Sequence, residues 1–143
     1  MYQYKAIVKR IIDGDSVVLD IDLGFDMWMK NQSVRVYGID TPECRTRDLD
    51  EKARGILAKE FVQTSLPIGS DVVIETFKDK GGKFGRILGK IKHPDLVFDL
   101  GEALLEKNLA VAYYGQSKEE IKQQHLDNKA ILILEKRYTP NES

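Results

Sequence analysis

The chain has one cysteine in 143 residues, Cys44, which excludes an internal disulfide and any zinc site built on several thiolates. Its two histidines, His93 and His125, lie far apart and match no His-rich metal motif. No apolar run approaches the roughly 18 to 20 residues that carry a helix across a bilayer, so no membrane partner is expected. The start, Met1-Tyr2-Gln3-Tyr4-Lys5 running straight into Ala6-Ile7-Val8-Lys9-Arg10, lacks the uninterrupted apolar core of a secretory signal. The expected location is the cytoplasm by default, or outside the cell if a leader is missing from this chain. Net charge is nearly absent, at −1 from 22 Lys+Arg against 23 Asp+Glu. A chain-wide basic surface, the usual basis of nonspecific nucleic-acid binding, is therefore excluded. Repeats and low-complexity linkers are missing as well.

What is present is a 42% hydrophobic, 31% charged composition, enough apolar surface to offset the entropy of ordering one domain. A single domain over residues 1–143 is expected, with its ordered core at about 4–137. Charge is unevenly distributed. From Glu75 to Lys92, six cations (Lys78, Lys80, Lys83, Arg86, Lys90, Lys92) face two anions, and Asp95, Asp99, Glu102 and Glu106 follow with no Lys or Arg among them.

Periodicity divides the chain. From Tyr4 to Ile39 apolar residues alternate or cluster in β-branched groups, with Asp13-Gly14 between the first two groups, where glycine permits the positive φ of a tight hairpin. Gly24 to Gln32 reads as a second turn region and Ser33 to Ile39 as a third strand, closed by Thr41-Pro42. Asp50 to Leu66 has helical spacing, with Ala53, Ile56, Leu57 and Phe61 on one face and Asp50 or Asp48 as its cap. Strands are expected at Asp71–Phe77 and Phe84–Ile91, joined by Asp79-Lys80-Gly81-Gly82. Helices are expected at Asp99–Leu109, burying Leu100, Ala103 and Leu104, and at Ser117–Arg137. Five strands and three helices make an α+β chain, and the oligonucleotide-binding (OB-fold) β-barrel is the usual closed solution for five strands.

Three clusters carry candidate chemistry. Asp13-Gly14-Asp15 reads first as a hairpin turn. In Arg35-Val36-Tyr37-Gly38-Ile39-Asp40-Thr41-Pro42-Glu43, alternation puts Arg35 on the strand face of Tyr37 and Ile39, an odd place for a cation unless it meets an anion. Asp40 and Glu43 then fall at the strand end, where side chains converge. Lys83-Phe84-Gly85-Arg86 follows a glycine turn, and its plain reading is a strand-edge cation. Together these residues are the inventory of a phosphoryl-transfer site: hard oxygens for a divalent cation, a spare carboxylate, and two guanidinium forks that hydrogen-bond phosphate without losing charge. Cys44, next to Glu43, reads as an incidental loop thiol.

Val8 to Leu19, Arg35 to Glu43, Phe84-Gly85-Arg86, Gly101 to Leu105 and Leu109 to Tyr113 resemble the staphylococcal nuclease (thermonuclease) family, and Gln124-His125-Leu126 is similar to its last helix. The resemblance runs from about Lys5 to Arg137. It implies an OB-fold barrel with one Ca2+ ion and a phosphodiesterase acting on single- or double-stranded DNA and on RNA as endo- and exonuclease, leaving 3′-phosphates. Asp15 and Asp40 would be carboxylate ligands, Thr41 a carbonyl ligand, and Asp13 support behind them. Glu43 would be the general base, Arg35 and Arg86 would grip the scissile phosphate, and Lys83, Tyr113 and Tyr114 would bind substrate. The expected state is a monomer. The alternative is a non-catalytic OB-fold module that binds nucleic acid or protein. All five positions that such a module would be expected to lose in part, Asp15, Arg35, Asp40, Glu43 and Arg86, are present.

Overall fold

A computed structural model describes residues 2–77 and 86–139. Strands β1 (Tyr2–Asp13), β2 (Ser16–Gly24) and β3 (Met27–Val36) form a meander, and β4 (Ile39–Asp40) follows after a bend. Helix α1 (Leu49–Ser65) leads to β5 (Asp71–Phe77) and β6 (Arg86–Lys92), then α2 (Leu100–Glu106), β7 (Val111–Ala112) and α3 (Lys118–Leu134). The barrel closes in the order β1-β2-β3-β6-β5, and β4 pairs with β7 in a separate two-stranded ladder. This is the α+β, five-stranded OB-like barrel with three helices. The strand Phe84–Ile91 is found from Arg86 onward; its first two residues, its preceding Asp79-Lys80-Gly81-Gly82 turn and Lys83 lie outside the described residues.

Helix starts follow local chemistry. Asp48, not Asp50, caps α1 by accepting from the Asp50 and Glu51 amides, Asp99 caps α2, and Ser117 caps α3. The second turn is much shorter than expected. Phe25 and Asp26 both have positive φ, 56° and 62°, which makes the tight reversal whose twist suits a hairpin, so β3 begins at Met27 instead of Ser33. Gly14 also departs from expectation, because it is not among the positive-φ glycines. Glycine is required there by space: a Cβ would lie 2.8 Å from the Ala58 Cβ and 3.0 Å from Thr41 Cγ2.

The barrel interior is filled by Val8, Val17, Leu19, Val34, Ile74 and Ile91, all essentially inaccessible, with Leu100 and Leu104 of α2 and Val62 and Leu66 from α1 and its end joining the same core. The buried stripe of α1 is turned by about one residue from the expected face. Arg54, Gly55, Ala58 and Val62 are buried, whereas Ile56 is exposed and Ala53, Leu57 and Phe61 are half-buried. The closest approach of helix and barrel demands small side chains, and a count of large apolar residues misses it. At Gly55 a Cβ would come within 2.6 Å of the Glu43 carbonyl oxygen.

Candidate active site

The register of β2 on β3 places Ser16 opposite Arg35, and the Val36 amide donates to the Asp15 carbonyl at 2.9 Å. The Asp13-Gly14-Asp15 turn therefore lies against the end of β3. There Arg35 meets the anions that its strand position called for. Its Nη1 is 2.7 Å from Asp15 Oδ2 and its Nη2 is 3.4 Å from Asp40 Oδ1. The Thr41 amide also donates to Asp15 Oδ2, at 3.3 Å. Ile39 leaves this face, because Gly38 at φ 80° breaks the alternation and turns Ile39 into the core.

Glu43 sits on the exposed side of this group, in the loop between β4 and α1. Partial burial raises its pKa above that of an ordinary glutamate, and the carboxylates of Asp15, Asp13, Asp40 and Glu51 raise it further. Asp13 accepts a short hydrogen bond from the Cys44 thiol. Burial and that bond push the thiol pKa up, so Cys44 is a structural partner of the turn and not the incidental loop thiol expected.

One residue outside the expected set belongs here. His125 Nε2 of α3 is 2.8 Å from Asp40 Oδ2, and the His125 carbonyl accepts from Arg54 Nη1 of α1 at 3.4 Å. The string Gln124-His125-Leu126 was the only signal for it, and nothing in the spacing pointed it at Asp40.

Arg86 opens β6 opposite Ser33 and shares with Arg35 the wall of a cleft of about 1270 Å³. Its Nε is buried without a hydrogen-bond partner among the described residues. Tyr113 and Tyr114 line the same cleft and are exposed. The Tyr113 amide is held by the Gly38 carbonyl at 2.8 Å, and the Tyr114 amide by Gln116 Oε1 at 2.8 Å. Of the expected site residues, the structure thus gathers Asp13, Asp15, Arg35, Asp40, Thr41 and Glu43 tightly, and sets Arg86, Tyr113 and Tyr114 around the cleft.

Among the described residues, no three His, Cys, Asp or Glu side chains are placed to hold a metal ion by themselves. The donors nonetheless suit a hard divalent cation in type and charge. Carboxylate oxygens gather from Asp15 and Asp40, with the exposed Glu43 carboxylate beside them.

At one end of the five-stranded barrel, carboxylates and guanidiniums thus gather beside an open cleft. A sequence model of the family "Staphylococcal nuclease homologue" matches residues 33–131, and the chain belongs to that family. It is similar to the thermonuclease of Staphylococcus intermedius, 30% identical over 108 residues, covering 76% of this chain and 59% of that protein. It is also similar to the thermonuclease of Staphylococcus hyicus, 31% identical over 111 residues, covering 78% and 59%. The chain thus spans less than two thirds of the length of either relative.

Proposed function

We propose that this chain is a calcium-dependent, sugar-nonspecific nuclease that hydrolyses phosphodiester bonds in DNA and RNA and leaves 3′-phosphates. The observation that carries this reading is the Arg35 fork joined to Asp15 and Asp40, with Glu43 beside it and Arg86 lining the same cleft. Family membership and the likeness to two thermonucleases support it.

Asp15, Asp40 and the Thr41 main-chain carbonyl would hold the cation, with Asp13 behind them. When bound, it supplies positive charge that stabilises a phosphoryl group gaining negative charge. The protein's own groups do the rest. Arg35 and Arg86 grip the phosphate and offset charge on its oxygens. Glu43 takes a proton from the water that attacks phosphorus. The phosphorus–oxygen bond to the departing sugar breaks on the opposite side, and that oxygen takes its proton from solvent. Neither guanidinium is the donor, since an arginine side chain holds its charge and gives up a proton reluctantly. Tyr113, Tyr114 and Lys83 would hold flanking nucleotide.

The test is cleavage of single-stranded DNA and RNA with calcium, with magnesium and with excess chelator, with Glu43→Gln run alongside. Cleavage with calcium that chelator abolishes, reduced at least about a hundredfold in a folded Glu43→Gln protein, is the expected result. Binding without cleavage under every condition would overturn it in favour of a non-catalytic module.

A further inference from the structure

Beyond Arg35 the same cleft carries an aromatic feature that the proposed chemistry leaves unused. Tyr37 follows the last residue of β3, and its amide donates to the Gly89 carbonyl of β6 at 2.9 Å. Its ring stacks on Phe77, the last residue of β5, with centroids 4.2 Å apart and planes 10° from parallel. Lys90 Nζ lies 5.8 Å from the Tyr37 centroid and 5.7 Å from the Phe77 centroid. A point nearly equidistant from two stacked rings lies beside the stack, so Lys90 leaves the outer face of Tyr37 uncovered. Tyr37 is 42% exposed and lines the cleft with Arg35, Arg86 and Leu88.

The result is an aromatic face, stiffened from behind by Phe77, edged by a cation, and two residues along the strand direction from Arg35. That spacing is roughly 6.6 Å. Every nucleobase has a π-face, and stacking on an aromatic side chain binds it with little regard to sequence. A cation at the rim of the stack suits the backbone phosphate that accompanies the base. The Gly38 carbonyl, next in the chain to Tyr37, holds the amide of Tyr113. Tyr37 and Tyr113 thus both line the cleft that holds the guanidiniums.

We propose that Tyr37, backed by Phe77 and flanked by Lys90, is a nucleobase-stacking subsite that takes an unpaired base of the substrate strand beyond the phosphate gripped by Arg35 and Arg86. The subsite rests on the nuclease reading and extends its substrate to a longer stretch of strand.

The test uses oligonucleotides carrying 2-aminopurine at successive positions, bound to the Glu43→Gln protein, and the same series carrying single abasic sites as substrates for the active protein. Stacking on Tyr37 quenches 2-aminopurine at one defined position, and the quench is lost in Glu43→Gln/Tyr37→Leu and kept in Glu43→Gln/Tyr37→Phe. In the active protein Tyr37→Leu raises KM about tenfold with a much smaller change in kcat. That penalty disappears on the substrate abasic at the same position. Leucine keeps apolar cover over Phe77 without a π-face, and a thermal melt of Tyr37→Leu matching the parent shows that the fold is intact. Cleavage by the parent with no base-dependent penalty in Tyr37→Leu overturns the subsite and leaves the nuclease reading standing. A parent that neither binds nor cleaves any oligonucleotide overturns both.

Discussion

His125 Nε2 and Asp40 Oδ2 lie 2.8 Å apart although they are 85 positions apart in the chain. The ring nitrogen contacts one oxygen of the carboxylate, while Arg35 holds the other. The last helix thereby sets the orientation of a strand-end carboxylate. A side chain that orients a metal-binding carboxylate typically changes metal affinity when removed. His125→Ala is expected to raise the calcium concentration needed for half-maximal cleavage about tenfold. A calcium titration of activity in folded His125→Ala and His125→Gln checks it, with the glutamine variant closer to the parent because its amide can still donate.

Arg35 is both a phosphate-binding candidate and the counter-ion of Asp15 and Asp40. Removing it leaves two carboxylates without their cation, and a metal ion then gains what Arg35 supplied. Arg35→Ala should be destabilised in chelator but rescued by calcium more strongly than the parent. A tenfold gain in calcium affinity corresponds to about 1.4 kcal/mol, or an extra rise in Tm of about 4 °C. Melting curves in chelator and in excess calcium measure it, and an equal calcium shift in both proteins would remove Arg35 from competition with the ion.

Gly55 lies inside α1, where alanine would ordinarily add about 1 kcal/mol of helix stability. The Cβ, however, would fall 2.6 Å from the Glu43 carbonyl oxygen and 2.7 Å from that of Pro42, both rigid backbone atoms. Gly55→Ala is therefore expected to lower stability by about 1 to 3 kcal/mol, against its helix propensity. It should reduce cleavage as well, since the Glu43 loop must shift. Urea unfolding gives the sign directly.

The Tyr138 hydroxyl donates to Asp50 Oδ1 at 2.8 Å, and burial together with Asp50 pushes its pKa up to about 12. Unfolded, the phenol titrates near its ordinary value of about 10. The folded state holds the proton more tightly, so the contribution is complete below about pH 10 and is lost as pH rises through about 12. Tyr138→Phe should cost about 1 kcal/mol at about pH 8, and the gap to the parent should close on the alkaline side. Paired urea titrations across that range check the sign.

Cys44 is 9% exposed and its thiol donates to Asp13. With its pKa raised, it should react with a disulfide reagent at least about a hundredfold more slowly in the native protein than in denaturant. Asp13→Asn should speed native labelling by loosening the turn. Comparable rates in native and unfolded protein would show that the thiol is not held as described.

Much of this protein was legible in its residues because the information is local. Strand alternation, helical spacing and the Asp48 cap depend on neighbours within a few positions, and they placed most elements within a few residues. Arg35, stranded on an apolar face, announced that it would meet anions, and it does. Tertiary structure alone decided what depends on closing the barrel. It turned the Gly55 and Ala58 face of α1 inward, brought His125 to Asp40, gave the Cys44 thiol to Asp13, and stacked Tyr37 on Phe77. Each pairs segments remote in sequence, and their separations follow from strand order and register, which no window of the chain contains.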